Sequence, residues 1–189
     1  MKKYIGLVLV AMSGCILTVN AQQSFSYKNP LLPTELRVND LLGRMTLEEK
    51  IAQIRHLHSW DVFDGQILNQ EKLDKMCGGI GYGFFEGFPL TAASCRKTFR
   101  EIQTYMVEKT RLGIPGFPVA ESLHGVVHEG TTIYPQNIAM GSTFNPELAY
   151  EKTKHIAGEL NTMGVKQVLA PCIDVVRDLR WGRVEESFG

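Results

Sequence analysis

The chain has no surplus of either charge. Twenty Lys and Arg are matched by twenty Asp and Glu over 189 residues, a formal net charge of zero. A protein whose main partner is nucleic acid needs extra basic charge to neutralise phosphates, so this balance argues against that class. Disorder is excluded as well: 44% of the residues are hydrophobic and only 21% charged, too apolar and too neutral for a chain that stays unfolded. Cysteine is scarce, with four residues, and Cys15, Cys77, Cys95 and Cys172 lie too far apart to form a disulfide framework. There is no Walker loop, GxGxxG, CxxC pair, GxSxG or zinc-ligand spacing. Nucleotide hydrolysis, dinucleotide binding, dithiol chemistry and serine-hydrolase catalysis therefore find no support. Internal repeats and low-complexity runs are also missing.

Long apolar runs are confined to the start. Lys2 and Lys3 precede a mostly apolar stretch from Tyr4 to Val19, and Val19-Asn20-Ala21 puts small residues at the two positions that a signal peptidase reads. Residues 1–21 are read as a signal peptide cleaved after Ala21, which implies a secreted or periplasmic protein. Lipoprotein processing at Cys15 is the alternative, because Ser13-Gly14-Cys15 resembles a lipobox. The run falls short of the roughly 20 apolar residues of a membrane span, and no later segment approaches that length. Removing the leader takes away Lys2 and Lys3, which tips the formal charge slightly acidic. It leaves Cys77, Cys95 and Cys172, an odd number. They are read as buried thiols, with a single bridge as the alternative.

Residues 22–37 carry Gln, Ser, Asn and Pro and read as an irregular lead-in. From Val38 a helical period begins with Leu41, Leu42 and Met45. Thr46-Leu47-Glu48-Glu49 is a capping box, followed by Leu47, Ile51 and Ile54 on one helical face. The glycine-rich stretch 78–88 reads as a short strand leading into a loop, its glycines permitting close backbone approach. A helix over about 91–112 buries Phe99, Ile102 and Met106 and stops at Gly113 and Pro115. Phe117–Ala120 reads as a buried parallel strand. Asn145-Pro146-Glu147 opens another helix with an N-cap, a first-turn Pro and an acid at the positive dipole end. Ala149, Ile156, Leu160 and Met163 form its apolar face, Gly164 ends it, and a strand over 167–171 follows. Helices alternating with strands predict an α/β fold around a parallel sheet. Residues 121–144 are a long connection, a length that is usually functional.

Two segments carry chemistry. Glu121 follows the Phe117–Ala120 strand directly, where parallel α/β folds place their active sites, and a carboxylate there suits vicinal hydroxyls. A salt-bridged structural acid is the competing reading. His124, His128 and Glu129 lie beyond it, but Gly125 stands where HExxH needs its Glu, so loop-fixing histidines are preferred to a metal site. His56 and His58 are placed on one helix, two residues apart and on different faces, which argues against a joint site. The second segment is the run from Ala170 through Asp174, Arg177, Asp178, Arg180, Trp181 and Arg183 to Glu185 and Glu186. Trp181 and Gly182 interrupt its charges, which suggests a loop packed on itself by Arg forks. Glu185 and Glu186 are not read as a catalytic pair, since adjacent side chains rarely face one substrate and a retaining pair needs carboxyls about 5–5.5 Å apart.

These segments and their order resemble the N-terminal domain of glycoside hydrolase family 3. The resemblance runs through Arg44-Met45-Thr46-Leu47-Glu48-Glu49-Lys50-Ile51-Ala52-Gln53, Leu112-Gly113-Ile114-Pro115, Glu121-Ser122-Leu123-His124-Gly125, Tyr134-Pro135-Gln136 and Asn145-Pro146-Glu147-Leu148. It continues through Val168-Leu169-Ala170-Pro171, Asp174-Val175, Arg177-Asp178 and Arg180-Trp181-Gly182-Arg183, so that it spans nearly all of 38–189. It implies the first part of a (β/α)₈ TIM-barrel-like domain, incomplete in this chain because such a barrel needs roughly 250 residues. It implies a secreted retaining exo-β-glycosidase, a β-glucosidase or β-xylosidase, hydrolysing terminal non-reducing β-linked sugars of an oligosaccharide or β-glycoside by double displacement. Glu121 takes the family's sugar-hydroxyl carboxylate position and Arg183 its sugar-binding arginine; no cofactor and no metal are implied.

Two residues depart from the family pattern. Glu at 121, where glucosidases often have Asp, points to a pentose preference; Leu179 replaces a usual Pro. The family's nucleophilic Asp and acid/base Glu lie downstream of Gly189. No catalytic residue is therefore expected in this chain, and the chain alone is expected to be inactive. The alternative from another class is a non-catalytic carbohydrate-binding or scaffold protein derived from the same fold.

Overall fold

A computed structural model describes residues 26–87 and 91–189; the expected signal peptide, Cys15 with it, lies outside the described residues. The chain forms two compact units, one ending at Arg44 and one spanning Met45–Gly189. In the first, a 3₁₀ turn at Ser26–Lys28 meets helix α1, Thr34–Arg44. Asp40 joins them: its carboxylate accepts from the Tyr27 amide at 3.0 Å and from Arg44 Nε at 2.9 Å. Arg37 Nε donates to the Tyr27 carbonyl at 2.8 Å. The helix starts before Val38, with Glu35 in the first turn at the positive end of the dipole.

The second unit opens with α2, Leu47–Ala52. The capping box is formed: Thr46 Oγ1 accepts from the Glu49 amide at 3.3 Å, and the Thr46 amide donates to Glu49 Oε2 at 2.9 Å. Strand β1, His56–His58, leads into the short helix α3, Ser59–Val62, and a hairpin of β2, Phe63–Asp64, and β3, Ile67–Leu68. Helix α4, Gln70–Cys77, is capped by Asn69, whose Oδ1 accepts from the Lys72 amide at 3.0 Å, and is closed by left-handed Gly78. Then come β4, Phe84–Glu86; α5, Ala92–Lys109; β5, Phe117–Glu121; α6, Asn137–Gly141; α7, Pro146–Met163; and β6, Gln167–Leu169.

Strands β1, β4, β5 and β6 form one sheet in that order, every neighbouring pair parallel. His58 stands opposite Glu86, Glu86 opposite Val119, and Glu121 opposite Leu169. Parallel neighbours need crossovers, and helices supply them between consecutive strands. This stepwise order is that of part of a (β/α)₈ barrel. The expected helix faces close on the sheet: Phe99, Ile102 and Met106 of α5 and Ile156, Leu160 and Met163 of α7 are buried with Leu57 and Phe85. Phe85 and Phe99 meet edge to face with centroids 5.7 Å apart, a favoured aromatic geometry.

Further details differ from the sequence reading, beside the early start of α1 inside the expected irregular lead-in 22–37. Helix α5 ends at Lys109, with Thr110 extended, three residues before the expected stop. The connection 121–144 is not structureless, since it contains α6. The hairpin, α3 and α4 are additional elements, each too short to show a clear period. Asn145 and Pro146 start α7 and left-handed Gly164 ends it, as the local chemistry requires. Cys77, Cys95 and Cys172 are free and buried. Among the described residues no helix is long and apolar enough to cross a membrane.

Candidate functional site

Parallel strands deliver side chains to a common rim at their carboxyl ends. Here that rim carries His58 from β1, Glu86 from β4 and Glu121 from β5. They line a cleft of about 420 Å³ with Trp60, Val126 and His128 among its walls. That volume is in the range of small-molecule sites.

Glu86 receives two imidazoles. His56 Nδ1 lies 3.0 Å from its Oε2 and His58 Nδ1 lies 3.2 Å from its Oε1. The second approach is close but off the hydrogen-bond line, so the buried His58 Nδ1 has charge proximity without a hydrogen bond. This corrects the placement of His56 and His58 on different faces of one helix. On a strand, residues two apart share a face, and the parallel register sets His58 beside Glu86. Each ring also stacks: His56 on Phe84 at 5.0 Å, and His58 on Trp60 at 4.3 Å with an interplanar angle of 8°.

Glu121 ends β5 with its side chain exposed. Arg183 lies just before a 3₁₀ turn at Val184–Glu186. Its Nε donates to Glu186 Oε2 at 2.8 Å, and its Nη2 donates to the same oxygen. The guanidinium is held above the ordinary arginine value, chiefly by these bonds and the Glu186 charge, with a smaller share from the charge of Glu121. The two expected sugar-binding residues are thus within Coulombic reach of each other. Glu186 is engaged with Arg183. Arg180 forks onto exposed Asp178 through Nε at 3.0 Å and Nη2.

The turn 122–136 is held by its own backbone. The Tyr134 amide donates to the His124 carbonyl at 2.8 Å, and His124 Nδ1 lies 3.0 Å from the Tyr134 carbonyl. Gly125 sits at φ 118°, and a Cβ there would lie 2.3 Å from the Thr132 carbonyl oxygen. His124 is therefore a loop-fixing residue. His128 lines the cleft, and burial pushes its imidazole below the ordinary histidine value. The Glu129 carbonyl accepts from the Ala92 amide at the start of α5, at 2.9 Å. Among the described residues no group of three His, Cys, Asp or Glu is placed to hold a metal ion.

The sequence reading missed Glu86 and Trp60 and set His58 aside. Glu86 had a usable signal, an acid closing the Phe84-Phe85-Glu86 strand. The glycines around it are a loop signal that masks so short a strand.

A parallel α/β domain with carboxylates, histidines and an aromatic ring around a cleft at the strand ends defines the class: a barrel-type domain with a polar small-molecule site. Residues 46–189 match the glycosyl hydrolase family 3 N terminal domain, and the chain belongs to that family. It is 33% identical over 172 residues to a putative beta-xylosidase of Formosa agariphila, covering 88% of this chain and 23% of that protein. It is 30% identical over 189 residues to a periplasmic beta-glucosidase of Salmonella typhimurium, covering 99% of this chain and 23% of that one. Among solved structures, a β-glucosidase from Erythrobacter marinus superposes with a TM-score of 0.74 at 29% identity, covering 89% of this chain and 22% of that one. The β-glucosidase of Listeria innocua in complex with isofagomine gives a TM-score of 0.65 at 32% identity, over 84% of this chain and 20% of that one. The chain thus spans under a quarter of the length of these relatives.

Proposed function

We propose that the full-length protein is a secreted retaining exo-β-glycosidase of β-glucosidase or β-xylosidase type, removing terminal non-reducing β-linked sugars. The observation that supports this best is the exposed Glu121 carboxylate, which ends β5 and lines the cleft at the carboxyl ends of a barrel-type parallel sheet, with the Arg183 guanidinium near enough to feel its charge. The carboxylate accepts from vicinal hydroxyls and the guanidinium donates to ring hydroxyls, so together they orient a terminal sugar. Double displacement needs a nucleophilic carboxylate and an acid/base carboxylate about 5–5.5 Å apart. In this reading both come from parts of the full-length protein beyond residues 38–189, which form the partial N-terminal barrel domain and carry the sugar-orienting half. The longer Glu side chain at 121, where glucosidases often carry Asp, leaves less room beside a hexose C6 group and supports a pentose preference.

The experiment is hydrolysis of 4-nitrophenyl β-xyloside and β-glucoside by full-length enzyme and by its Glu121→Gln and Arg183→Ala variants. We expect wild-type turnover with a higher kcat/KM on the xyloside, and a loss of about tenfold or more in each variant. Absence of turnover on both substrates would sink the reading in favour of a carbohydrate-binding protein. The isolated 189-residue chain is expected to be inactive, and turnover by it would overturn the placement of the catalytic carboxylates. Mass spectrometry of secreted protein should find Gln22 as its first residue.

A further inference from the structure

Glu121 and Arg183 account for the hydroxyls of a sugar but not for its faces. Trp60 lies in the first turn of α3, two residues past the end of β1, and lines the same cleft as Glu121. Its indole lies flat on the His58 ring, yet the residue is 69% exposed. The imidazole covers one face of the indole, which leaves the opposite face open. A tryptophan this exposed adds little to the core, so its fixed position needs another explanation.

Its neighbours are fixed by contacts of their own. His58 behind it is set by β1 and lies against the Glu86 carboxylate. Ser59, next to Trp60, donates its hydroxyl to the Gly87 carbonyl. Gly87 has φ 70°, and a Cβ there would come 3.7 Å from Trp60 Cζ3. A flat apolar surface is thereby presented just beyond a strand end, backed in turn by an imidazole and a carboxylate. Sites preorganised in this way lose little entropy on binding.

A pyranose ring has the complementary form. Its hydroxyls point outward around the rim, and its axial C–H groups make an apolar face that fits an aromatic plane. The cleft offers both kinds of surface, a carboxylate for the rim and an indole for the face. We propose that Trp60, backed by His58, is the stacking platform for the terminal pyranose whose hydroxyls Glu121 binds. This rests on the glycosidase reading above and adds a specificity-determining residue to it.

The test uses full-length enzyme with Trp60→Leu, which keeps bulk but removes the ring, and Trp60→Phe, which restores one. Inhibition by free xylose and free glucose is measured beside KM and kcat on the aryl glycosides. Trp60→Leu should raise Ki for the free sugar and KM about three- to tenfold, with a smaller effect on kcat. Trp60→Phe should recover most of the loss, and both variants should melt with the wild type. Turnover with unchanged Ki in Trp60→Leu overturns the platform alone, as does a KM rise without a Ki rise, which would place the stacked ring on the leaving group. A wild type with neither turnover nor sugar inhibition overturns the glycosidase reading and the platform with it.

Discussion

The Lys152 ammonium donates to Asn137 Oδ1 at 2.7 Å, and both residues are buried. Asn137 Nδ2 donates onward to the Glu186 carbonyl at 2.9 Å, while the Glu186 carboxylate holds Arg183. A buried cation on α7 is thus connected through α6 to the guanidinium at the rim. Burial lowers the Lys152 pKa below the ordinary lysine value, and the Phe188 ring centroid lies 6.0 Å from Nζ.

Removing one member of such a chain costs more than replacing two with apolar groups. Asn137→Ala deprives the ammonium of its acceptor and releases Glu186. It should lower stability by about 2 kcal/mol and raise KM of the full-length enzyme. The double variant Asn137→Leu with Lys152→Met should regain at least half of the stability, read by urea denaturation, while KM stays high because Glu186 remains untethered. Recovery of KM along with stability would show that the chain does not position Arg183.

Two glycines test the packing from opposite sides. A Cβ on Gly83 would lie 1.8 Å from the Gln53 carbonyl oxygen, so α2 and β4 meet there backbone to backbone. Gly83→Ala must push them apart and should cost about 3 kcal/mol. Gly158 lies within α7 with nothing within 4 Å of its Cβ position. Gly158→Ala should gain about 0.5–1 kcal/mol through helix propensity. Denaturant melts of the two variants should therefore shift in opposite directions.

What could be read from the sequence divides by length and locality. Helices α5 and α7 span five turns each with apolar faces of period 3.6, and Asn145, Pro146 and Gly164 mark the ends of α7, so their signals add up. The capping box at Thr46 and Glu49 is a local contact between residues three apart. Glu121 and Arg183 are marked in the sequence by a strand end and a family motif. His-Leu-His at 56–58 is too short to reveal a period of two, and a helical placement sends its histidines apart. The Glu86 cluster forms only when β1 pairs with β4, a contact between distant residues. The site's aromatic wall was hidden for the same reason, since Trp60 gains meaning from His58 and Gly87.

Burial controls the thiols. Desolvation pushes Cys77 up to about 12 and Cys95 up to about 11 from an ordinary 9.0. Above pH 9.0 the unfolded chain releases these protons while the folded chain keeps them, so stability falls as pH rises toward 11. Cys95→Ala should flatten that fall relative to wild type. At pH 8 both thiols should resist alkylation in native protein and react in urea, read peptide by peptide by mass spectrometry. Native labelling at Cys95 would show that the space between α5 and the sheet is open.

The Glu49 carboxylate has opposite acid–base behaviour. It is only 4% exposed, yet it stays charged because Arg111 Nε donates to its Oε1 at 2.7 Å and Arg111 Nη2 to its Oε2. The Arg111 fork, more than the Thr46 amide, holds its pKa below the ordinary 4.5. A depressed carboxylate contributes stability that is complete above the unfolded value and is lost as pH falls through the folded one. Wild-type protein should therefore lose stability as pH drops below 4.5. Arg111→Met leaves a buried carboxylate with its capping amide alone and should cost about 2 kcal/mol near neutral pH, a figure moderated because the arginine side is half exposed. In that variant the acid-dependent loss should shrink, because less native stabilisation of the anion remains to be titrated away. An unchanged acid limb would assign the pH response to another group and leave Glu49 with a helix-capping role only.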